Sequence, residues 1–287
     1  MKQFGLIGNP ISHSKSPALF KAGYNGKYTY DLIEEDNFDI AFNCFLNGYD
    51  GVNVTAPFKE KAYTKCEATY GTASDIKAVN LLIKNAEGVT GYNTDIYGVL
   101  LSFLESFLPQ ERLKSMSFHT DEKFSDIKNH IIQHYNGHTP TVMIMGCGGA
   151  GKAAAIAFAA CGFETVIVNR DEIKARNFVA SIAKYNMSAA SEDDFKRLFR
   201  ESDLIVYTLP CVSDGLLSLD ENDYKQNKTV IEANYRNPSF DNIMKMKLSE
   251  RGGKYISGER WLLYQAFSGY RIFTGEFPDI VAMNDIL

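Results

Sequence analysis

The chain has 287 residues, and its 30 Lys and Arg against 35 Asp and Glu give a formal net charge of −5 and a pI near 5.6. Its shares of hydrophobic (45%) and charged (23%) residues are those of a globular protein, which excludes disordered, collagen-like and coiled-coil classes. The mild acidity argues against nucleic acid as the main ligand, and the length predicts two domains.

The first half of the chain alternates short apolar runs with segments of helical spacing. Strands are predicted over 4–7, 28–33, 51–54 and 79–83. Helices are predicted over 17–24, 38–46 and 57–64, and a turn over 85–88. Strand, helix and strand at this interval predict βαβ units and a mostly parallel sheet.

A segment from 109 to 140 follows a predicted helix over 95–107. It is polar and carries several lysines and histidines, so we interpret it as an inserted surface segment or linker. His130, His134 and His138 are spaced to share one helix face, which raises metal binding as an alternative. Gly137 interrupts that helix and no acidic or cysteine partner is evident, so a solvated insert without metal is favoured.

A second alternation begins at residue 141. Strands are predicted over 141–145, 165–168, 204–207 and 229–231. Helices are predicted over 152–160 and 174–185, and a long helix over 261–273. The whole chain is therefore predicted to be an α/β protein with two α/β domains.

Cysteine usage and the lack of targeting patterns predict a cytoplasmic protein. The five cysteines are odd in number and contain no Cys-x-x-Cys pair, which favours reduced thiols over a disulfide framework or a zinc site. The N-terminal residues lack the pattern of a signal peptide, and no apolar run reaches the roughly 20 residues that cross a bilayer. We expect no membrane and no nucleic acid partner, and a monomer or homodimer.

A glycine-rich loop follows the strand at 141–145 and opens into an alanine-rich helix. Its residues are Gly146, Cys147, Gly148, Gly149, Ala150 and Gly151. Glycines here permit a sharp turn, let a pyrophosphate approach bare backbone and aim a helix N-terminus at it. The strand before and the helix after favour a dinucleotide site over a tight turn without ligand.

The next predicted strand ends in Asn169 and Arg170, with Lys174 one helical turn further on. A cofactor with a free ribose hydroxyl usually meets Asp or Glu at this point, whereas positive charge suits a 2′-phosphate. The pattern therefore favours NADP over NAD. Asp171 and Glu172 lie nearby, so charges that only cap a helix start, with NAD possible, remain the alternative.

Ser14 and Ser16 precede a helix predicted to begin at Pro17. Two hydroxyls on alternate residues at a helix start can hold a small anion such as a carboxylate. Ser16 before Pro17 is also a good N-cap and N1 pair. The two interpretations are compatible, because a capped helix start can still present donors to an anion.

Lys59 and Asp95 are each predicted in the first turn of a helix that follows a strand. A lysine is disfavoured there, because the helix macrodipole prefers anions at the N-terminus. A Lys–Asp pair could move a proton to and from a substrate oxygen. A solvated lysine and a capping aspartate are the alternatives, and the spacing does not show that the two residues meet.

Six motifs, in this order, resemble the shikimate dehydrogenase family and span nearly the whole chain. They occupy 9–17 (NPISHSKSP), 53–59 (NVTAPFK), 78–80 (AVN), 91–95 (GYNTD), 146–151 (GCGGAG) and 258–266 (GERWLLYQA). The resemblance implies an NADP-dependent oxidoreductase of aromatic amino acid biosynthesis that reduces 3-dehydroshikimate, a cyclic hydroxy acid, to shikimate. It also implies a substrate domain over 1–98 plus 258–287, a Rossmann domain over 99–257 with the 109–140 insert, and a cleft between them.

The resemblance further implies roles for individual residues. Lys59 and Asp95 would form the acid–base pair at the reacting oxygen. The substrate would be bound by Ser14, Ser16, Thr55, Asn80, Asp95, Tyr235 and Gln265. The cofactor would be bound by Gly146, Gly148, Gly149, Ala150, Gly151, Asn169, Arg170, Lys174 and Gly258.

Three places depart from the usual pattern of that family. Leu81 follows Asn80 where Thr is usual, residues 207–210 (YTLP) stand where Asn-Ala-Thr is usual, and residues 232–234 (EAN) replace an Asp-led apolar stretch. These departures keep two alternatives open. One is a quinate or amino-shikimate dehydrogenase, and the other is a non-catalytic ligand-binding protein that retains the fold.

Overall fold

Two compact units make up the chain, which a computed structural model describes over residues 2–116 and 122–287. The units are Met1–Gly98 with Leu262–Leu287, and Val99–Trp261. The chain passes from one unit to the other within two helices, Asp95–Leu104 and Gly258–Thr274. No helix in the described ranges is long and apolar enough to cross a membrane.

The first unit is built on a six-stranded sheet. Its strands are β1 (Gln3–Gly8), β2 (Thr29–Glu34), β3 (Gly51–Val54), β4 (Ala68–Thr69), β5 (Leu81–Asn85) and β6 (Gly88–Tyr92). They lie in the order β2-β1-β3-β5-β6-β4. β1 is parallel to β2 and β3, and β4 is parallel to β6. β5 runs antiparallel to β3 and to β6. The predicted turn at 85–88 joins β5 and β6 as a hairpin.

The helices of the first unit follow its strands along the chain. They are α1 (Ser16–Gly23), α2 (Phe38–Gly48), α3 (Lys59–Tyr63), α4 (Ala73–Ile76) and the first turn of α5 (Asp95–Leu104). Strand residues Ile7, Val52 and Leu82 share one buried cluster with Phe38 and Phe45 of α2. All four residues of β3 are buried, as expected of a strand in the middle of a sheet that is covered on both faces.

The second unit is built on a six-stranded, fully parallel sheet. Its strands are β7 (Val142–Met145), β8 (Thr165–Asn169), β9 (Met187–Ser191), β10 (Leu204–Tyr207), β11 (Thr229–Glu232) and β12 (Lys254–Ile256). They lie in the order β12-β11-β10-β7-β8-β9. The strand order reverses beside β7, and ligands of open α/β sheets bind at the carboxyl ends of strands next to such a reversal.

The remaining helices complete the two units. They are α6 (Gln110–Met116), α7 (Glu122–His134), α8 (Gly149–Ala160), α9 (Glu172–Ala180), α10 (Phe195–Glu201), α11 (Asp214–Leu217), α12 (Asn242–Glu250), α13 (Gly258–Thr274) and α14 (Ile280–Asn284). Each unit therefore combines helices with a sheet that is largely or wholly parallel. The predicted α/β class with two α/β domains is confirmed.

The segment 109–140 differs from its interpretation as a linker or solvated insert. It contains α6 and α7, with residues 117–121 outside the described ranges. Leu113 and Met116 of α6 and Ile127 and Ile131 of α7 are at most 2% exposed. These four apolar side chains recur along short helices in which most other positions are polar, so composition concealed two amphipathic helices.

The three histidines of this segment have different partners. The Nε2 atom of His130 lies 3.7 Å from Asp126. His134 stacks on the Phe107 ring at 4.0 Å between centroids, and α7 ends there. The Nε2 atom of His138 lies 3.1 Å from the Asp203 carboxylate. Across 2–116 and 122–287, no group of three His, Cys, Asp or Glu side chains is arranged to hold a metal ion.

A buried lysine in the second unit predicts a pH dependence of stability. Lys228 has no exposed surface, and its ammonium donates hydrogen bonds to the carbonyls of Phe199 and Ser202. Burial, and to a smaller extent the neighbouring Lys225, lowers the pKa of Lys228 to about 7. An unfolded lysine keeps its proton up to about pH 10.4, so between these values the unfolded state binds more protons. Stability should therefore rise with pH above about 7, by up to about 1.4 kcal/mol per pH unit.

The measurement compares the melting temperature of the second unit in the wild type and in Lys228→Met at about pH 7, 8 and 9. The wild type should gain stability relative to Lys228→Met as the pH rises. Lys184→Met, at an exposed lysine of the same unit, should track the wild type. A difference between wild type and Lys228→Met that stays constant with pH would show that Lys228 is charged throughout.

Candidate active site

Lys59 and Asp95 form an ion pair in the first unit. Lys59 is the first residue of α3 and Asp95 the first of α5. The Lys59 ammonium donates to Asp95 Oδ2 at 2.6 Å, and the two side chains are only 19% and 9% exposed. The carboxylate stabilises an ammonium that the macrodipole of α3 disfavours. The structure thus brings together the two side chains expected to move a proton.

A hydrogen-bonded polar cluster adjoins Asp95 along the chain. Asn80 Nδ2 donates to Thr94 Oγ1 at 3.0 Å and to Gln265 Oε1 of α13 at 3.2 Å. Asn80 Oδ1 accepts from the Thr94 N–H at 2.8 Å. Asn80 and Thr94 are almost fully buried, and Gln265 is half-buried. Thr94 was not among the predicted site residues, although it lies within the GYNTD motif beside Asp95.

The side chain of Asn93 holds the start of α5 in place. Its Oδ1 atom accepts from the Asp95 N–H at 3.1 Å, and its Nδ2 atom donates to the Ala78 carbonyl at 2.9 Å. Asn93 is 2% exposed. The helix start that carries Asp95 is therefore tied to the loop before Asn80, and the carboxylate has a defined position relative to the polar cluster.

The two serines lie at the start of α1. The helix begins at Ser16, with Lys15 as N-cap, so the predicted Ser16 N-cap is wrong by one residue. Ser14 Oγ instead accepts from the Ser16 N–H at 3.2 Å. Ser16 is buried, and its carbonyl accepts from the Tyr270 hydroxyl at 3.0 Å. A serine therefore does serve the helix start, but it is Ser14, and the predicted binding of a small anion by the two serines stays a prediction.

Two tyrosines, the half-buried Tyr30 and the buried Tyr270, lie near these residues and were missed in the sequence. The Tyr30 hydroxyl donates to Asn53 Oδ1 at 2.8 Å, and Asn53 Nδ2 donates to the Asn80 carbonyl at 3.2 Å. Burial raises the pKa of Tyr30 and of Tyr270 well above the usual value, so both are neutral donors. No motif in the sequence marks them, since tyrosines in apolar segments are ordinarily assigned to the core.

The remaining predicted substrate residues lie in different places. Thr55 is half-buried directly after β3, and its N–H donates to the Ile7 carbonyl at 2.8 Å. Thr55 thus belongs to the first unit with the serines, Asn80 and Gln265. Tyr235 follows β11 and belongs to the second unit.

The glycine loop connects β7 to α8 at the reversal point of the second sheet. Gly146 has φ +104°, a conformation that favours glycine. A Cβ on Gly151 would lie 2.1 Å from the Gly146 carbonyl oxygen, so glycine is required there for close packing. A Cβ on Gly148 would meet nothing within 4 Å, which leaves that side of the loop open. Gly148 is the N-cap of α8, and no side chain caps the helix.

These features fit a dinucleotide pyrophosphate. The first N–H groups of α8 lack intrahelical partners, and together with the macrodipole they attract an anion. Gly149 and Ala150 supply the first two of these groups and are half-buried. A residue larger than glycine at 148 would fill the space over the helix start. The loop therefore has the donors and the open surface that a pyrophosphate needs.

The carboxyl end of β8 presents positive charge. Arg170 and Lys174 are exposed, and neither has a carboxylate partner in the part of the chain that the structure describes. Asp171 caps α9 by accepting from the Lys174 N–H at 3.0 Å, and Glu172 pairs with Arg176 at 2.5 Å. Both nearby carboxylates are thus engaged, which leaves the two cations to set the local charge.

Asn169 links this strand end to the glycine loop. Its Oδ1 atom accepts from the Cys147 N–H at 3.2 Å, and its Nδ2 atom donates to the Asp171 carbonyl at 2.8 Å. The side chain therefore fixes the loop and the start of α9 relative to each other. This shaping of the loop was not anticipated from the sequence, which suggested only a neutral residue beside the ribose.

Comparisons with known proteins find two family models that match the chain, one within each unit. The family model described as the shikimate dehydrogenase substrate binding domain matches residues 6–82, and the one described as shikimate / quinate 5-dehydrogenase matches residues 127–213. A shikimate dehydrogenase (NADP(+)) from Leptospira interrogans is 30% identical, and the alignment covers 97% of this chain and 91% of that relative. The chain belongs to the shikimate dehydrogenase family. The predicted resemblance is therefore confirmed, and so is the prediction that the protein is an enzyme.

Other relatives extend over the full chain. A shikimate dehydrogenase (NADP(+)) from Archaeoglobus fulgidus is 28% identical over 99% of this chain and 97% of its own length. The Thermus thermophilus shikimate 5-dehydrogenase, solved with NADP(H) and shikimate, has a TM-score of 0.77 at 21% identity and covers 100% and 98% of the two chains. A quinate dehydrogenase from Corynebacterium glutamicum, solved with NAD, has a TM-score of 0.79 at 20% identity and covers 99% and 98%. The two structures show the shared fold.

Leu81, where the family usually has Thr, is a core residue. It is fully buried in β5, and a Cβ on Gly269 of α13 would lie 3.1 Å from its Cδ1 atom. Leu81 therefore packs against α13. Leucine at this position needs no change of substrate to explain it.

The loop after β10, where the usual Asn-Ala-Thr is replaced, is held by two side chains. The buried Tyr207 hydroxyl donates to the Cys211 carbonyl at 2.9 Å and accepts from the Ser213 N–H at 3.0 Å. Thr208 Oγ1 donates to the Met145 carbonyl at 2.7 Å and would lie 2.6 Å from a Cβ on Gly146. The altered loop is thus internally bonded and braces the glycine loop.

The loop after β11 is organised in a similar way. Glu232 is fully buried and accepts from the Tyr255 hydroxyl at 2.7 Å and from the Ser239 N–H. Asn234 Nδ2 donates to the carbonyls of Pro210 and Asn237 at 3.1 and 2.8 Å, so one side chain ties the loops after β10 and β11 together.

Gly258 has a structural reason for its place at the start of α13. A Cβ there would lie 2.4 Å from the Ala233 carbonyl oxygen, so only glycine lets the helix approach the end of β11 this closely. This close packing accounts for the glycine in the GERWLLYQA motif without a ligand. Its predicted contact with the cofactor stays a prediction.

The structure of the glycine loop predicts a large loss of stability for one alanine substitution and a small loss for another. Gly151→Ala drives a Cβ into the Gly146 carbonyl and should cost about 1–3 kcal/mol or more, because the backbone has to shift. Gly148→Ala meets open space at a φ of −87° and should cost less than about 1 kcal/mol, the range of an N-cap change. Urea unfolding of the two variants measures the difference. Equal losses, or a greater loss for Gly148→Ala, would contradict this account of the loop.

Proposed function

We propose that this protein catalyses the reversible, NADP-dependent reduction of 3-dehydroshikimate to shikimate, a step of aromatic amino acid biosynthesis. The observation that carries the proposal is the 2.6 Å ion pair between Lys59 and Asp95 at two helix starts, beside the Asn80 cluster. Full-length similarity to proteins named shikimate dehydrogenase (NADP(+)) supports the same activity.

Lys59 is assigned the role of acid and base at the reacting oxygen. In the reducing direction its ammonium donates a proton to the ring carbonyl oxygen as negative charge develops there, and stabilisation of such charge is a large part of catalysis. NADPH, when bound, supplies the hydride that adds to the carbonyl carbon. Asp95 orients the Lys59 side chain through the 2.6 Å hydrogen bond, and in the oxidising direction the Lys59 amine accepts the proton back.

The substrate is assigned to the first unit, Met1–Gly98 with Leu262–Leu287. Ser14 and Ser16 would hold its carboxylate at the start of α1, where the helix dipole favours an anion. Thr55, Asn80 and Gln265 would bind the ring hydroxyls, and Asn80 and Gln265 are already joined at 3.2 Å. Tyr235, from the second unit, is proposed as a neighbour of the substrate.

NADP is assigned to the second unit, Val99–Trp261. The glycine loop, from Gly146 to Gly151, would hold the pyrophosphate on the N–H groups of α8. Arg170 and Lys174 would pair with the 2′-phosphate, since the carboxylates of Asp171 and Glu172 are engaged by the α9 cap and by Arg176. Asn169 would act mainly by fixing the loop, and Gly258 by the close approach of α13 to β11.

The decisive experiment is a steady-state assay of dehydrogenation with four pairs of substrates. We expect turnover with shikimate and NADP+, and much weaker turnover when quinate replaces shikimate or NAD+ replaces NADP+. Arg170→Ala should raise the KM for NADP+ about tenfold or more and change that for NAD+ little, because a charge-assisted hydrogen bond to the 2′-phosphate is lost.

Arg197→Ala is the control, since Arg197 is an exposed arginine of the same unit that pairs with Asp194 and Glu201 on α10. It should leave the ratio of NADP+ to NAD+ efficiency unchanged. Preferred turnover of quinate would identify the alternative dehydrogenase, and no reduced dinucleotide with either acid would identify a non-catalytic binding protein. An unchanged ratio in Arg170→Ala would remove the assignment of the 2′-phosphate.

Lys59→Ala should lower kcat by about 10²- to 10⁴-fold while changing the KM for shikimate little, as expected for loss of an acid–base group. The measurement is kcat and KM for shikimate at saturating NADP+. Lys61→Ala is the control, because this exposed lysine lies two residues further along the same helix. A rise in KM as large as the fall in kcat would show that Lys59 mainly holds the substrate.

A further inference from the structure

A cavity of about 350 Å³ lies in the second unit, away from the residues assigned above. Its walls include His134, Tyr135, Asn136, Asn227, Thr229 and Lys254. Its volume is within the range of pockets that hold small molecules. The first three of these residues lie near the end of the 109–140 segment, to which no role has yet been given.

The cavity is separate from the glycine loop. Thr229 and Lys254 are the first residues of β11 and β12, so the cavity lies at the amino ends of these strands. Gly146 follows the carboxyl end of β7 in the same parallel sheet. The cavity and the glycine loop therefore lie at opposite ends of the parallel strands.

Positive charge and hydrogen-bond donors line the cavity. The Lys254 ammonium has three donor hydrogens, and in the described ranges one hydrogen bond is recorded for it, to the Ser106 carbonyl at 3.0 Å. The His134 ring is stacked on Phe107, which fixes its orientation. Burial, and then the charge of Lys254, hold the pKa of His134 below its usual value. Asn136 and Asn227 add amide donors.

Among the lining residues that the structure describes, none carries a carboxylate. Burial, opposed by a hydrogen bond with the Thr229 side chain and reinforced by the charge of Asp203, raises the pKa of Tyr135 to about 12. Asp203 accepts from Lys225 at 2.8 Å and from the Thr141 N–H at 3.0 Å, so its charge is already balanced. The Tyr135 hydroxyl is buried beside the Thr229 side chain, another residue of the cavity wall. As a neutral hydroxyl it can donate a hydrogen bond to a bound acceptor.

We propose that this cavity binds a small organic molecule through an oxyanion group, a phosphate or a carboxylate, held by Lys254 and His134. An ammonium beside a fixed imidazole, with amides around them and no acidic side chain, is complementary to such a group. The segment 109–140 then has a purpose, because it supplies one wall of the site. This assignment does not depend on the proposed dehydrogenase activity.

The test follows the histidines directly by NMR. The protein has five histidines, so ring-labelled histidine gives five resolvable Cε1–H signals, and His134→Phe, which keeps the stacking on Phe107, identifies the signal of His134. Inorganic phosphate and citrate are titrated separately at fixed pH and ionic strength. We expect a saturable shift of the His134 signal with at least one of them. Lys254→Met should weaken that binding about tenfold or more, the effect of losing a charged donor.

Two further variants keep the test decisive. Lys254→Gln removes the charge but keeps a donor for the Ser106 carbonyl, so it reports on the charge even where Lys254→Met does not fold. Lys184→Met, at an exposed lysine of the same unit, should bind as the wild type does. A His134 signal that does not shift saturably with either anion, or equal affinities for the wild type and the folded Lys254 variants, would overturn the proposal.

Discussion

The ion pair between Lys59 and Asp95 is the interaction on which the candidate active site depends. Both side chains are largely buried, so each charge offsets the cost of burying the other, and either alone would be destabilising. The position of the carboxylate is fixed by Asn93, which holds the start of α5. Proton transfer and local stability therefore rest on the same two groups, and the surrounding amides serve to keep them in place.

Much of the fold follows from the sequence, and the reason is periodicity. The strands at 141–145, 165–168 and 204–207 are short apolar runs between helical segments, and they appear as β7, β8 and β10 within one or two residues. The interpretation of the segment 109–140 as an insert or linker was wrong, because its apolar residues are few and lie on short helices. In such helices the polar composition hides the helical period of the apolar residues. The start of α1 was predicted one residue late, because the helix already begins at Ser16, whose N–H donates to the Ser14 hydroxyl.

The candidate site was predictable in its residues but not in its contacts. Lys59 and Asp95 are 36 residues apart, and only the sheet order brings α3 and α5 together. Tyr30 and Tyr270 were missed because a buried tyrosine resembles any core aromatic in the sequence. Leu81 and Tyr207 were taken as departures that weakened the site, whereas burial gives each a packing or bonding role. Sequence motifs identify reactive groups well, but they say little of the side chains that hold them.

Asn234 has a consequence for how this enzyme can diverge. One amide joins the segment after β10 to the segment after β11, through Pro210 and Asn237. Substitutions elsewhere in either segment alter one loop at a time, whereas a change at this position releases both. Sequence changes in the two loops are therefore expected to occur together when this asparagine changes. Relatives that lack the asparagine should have another donor that bonds to the same two carbonyls.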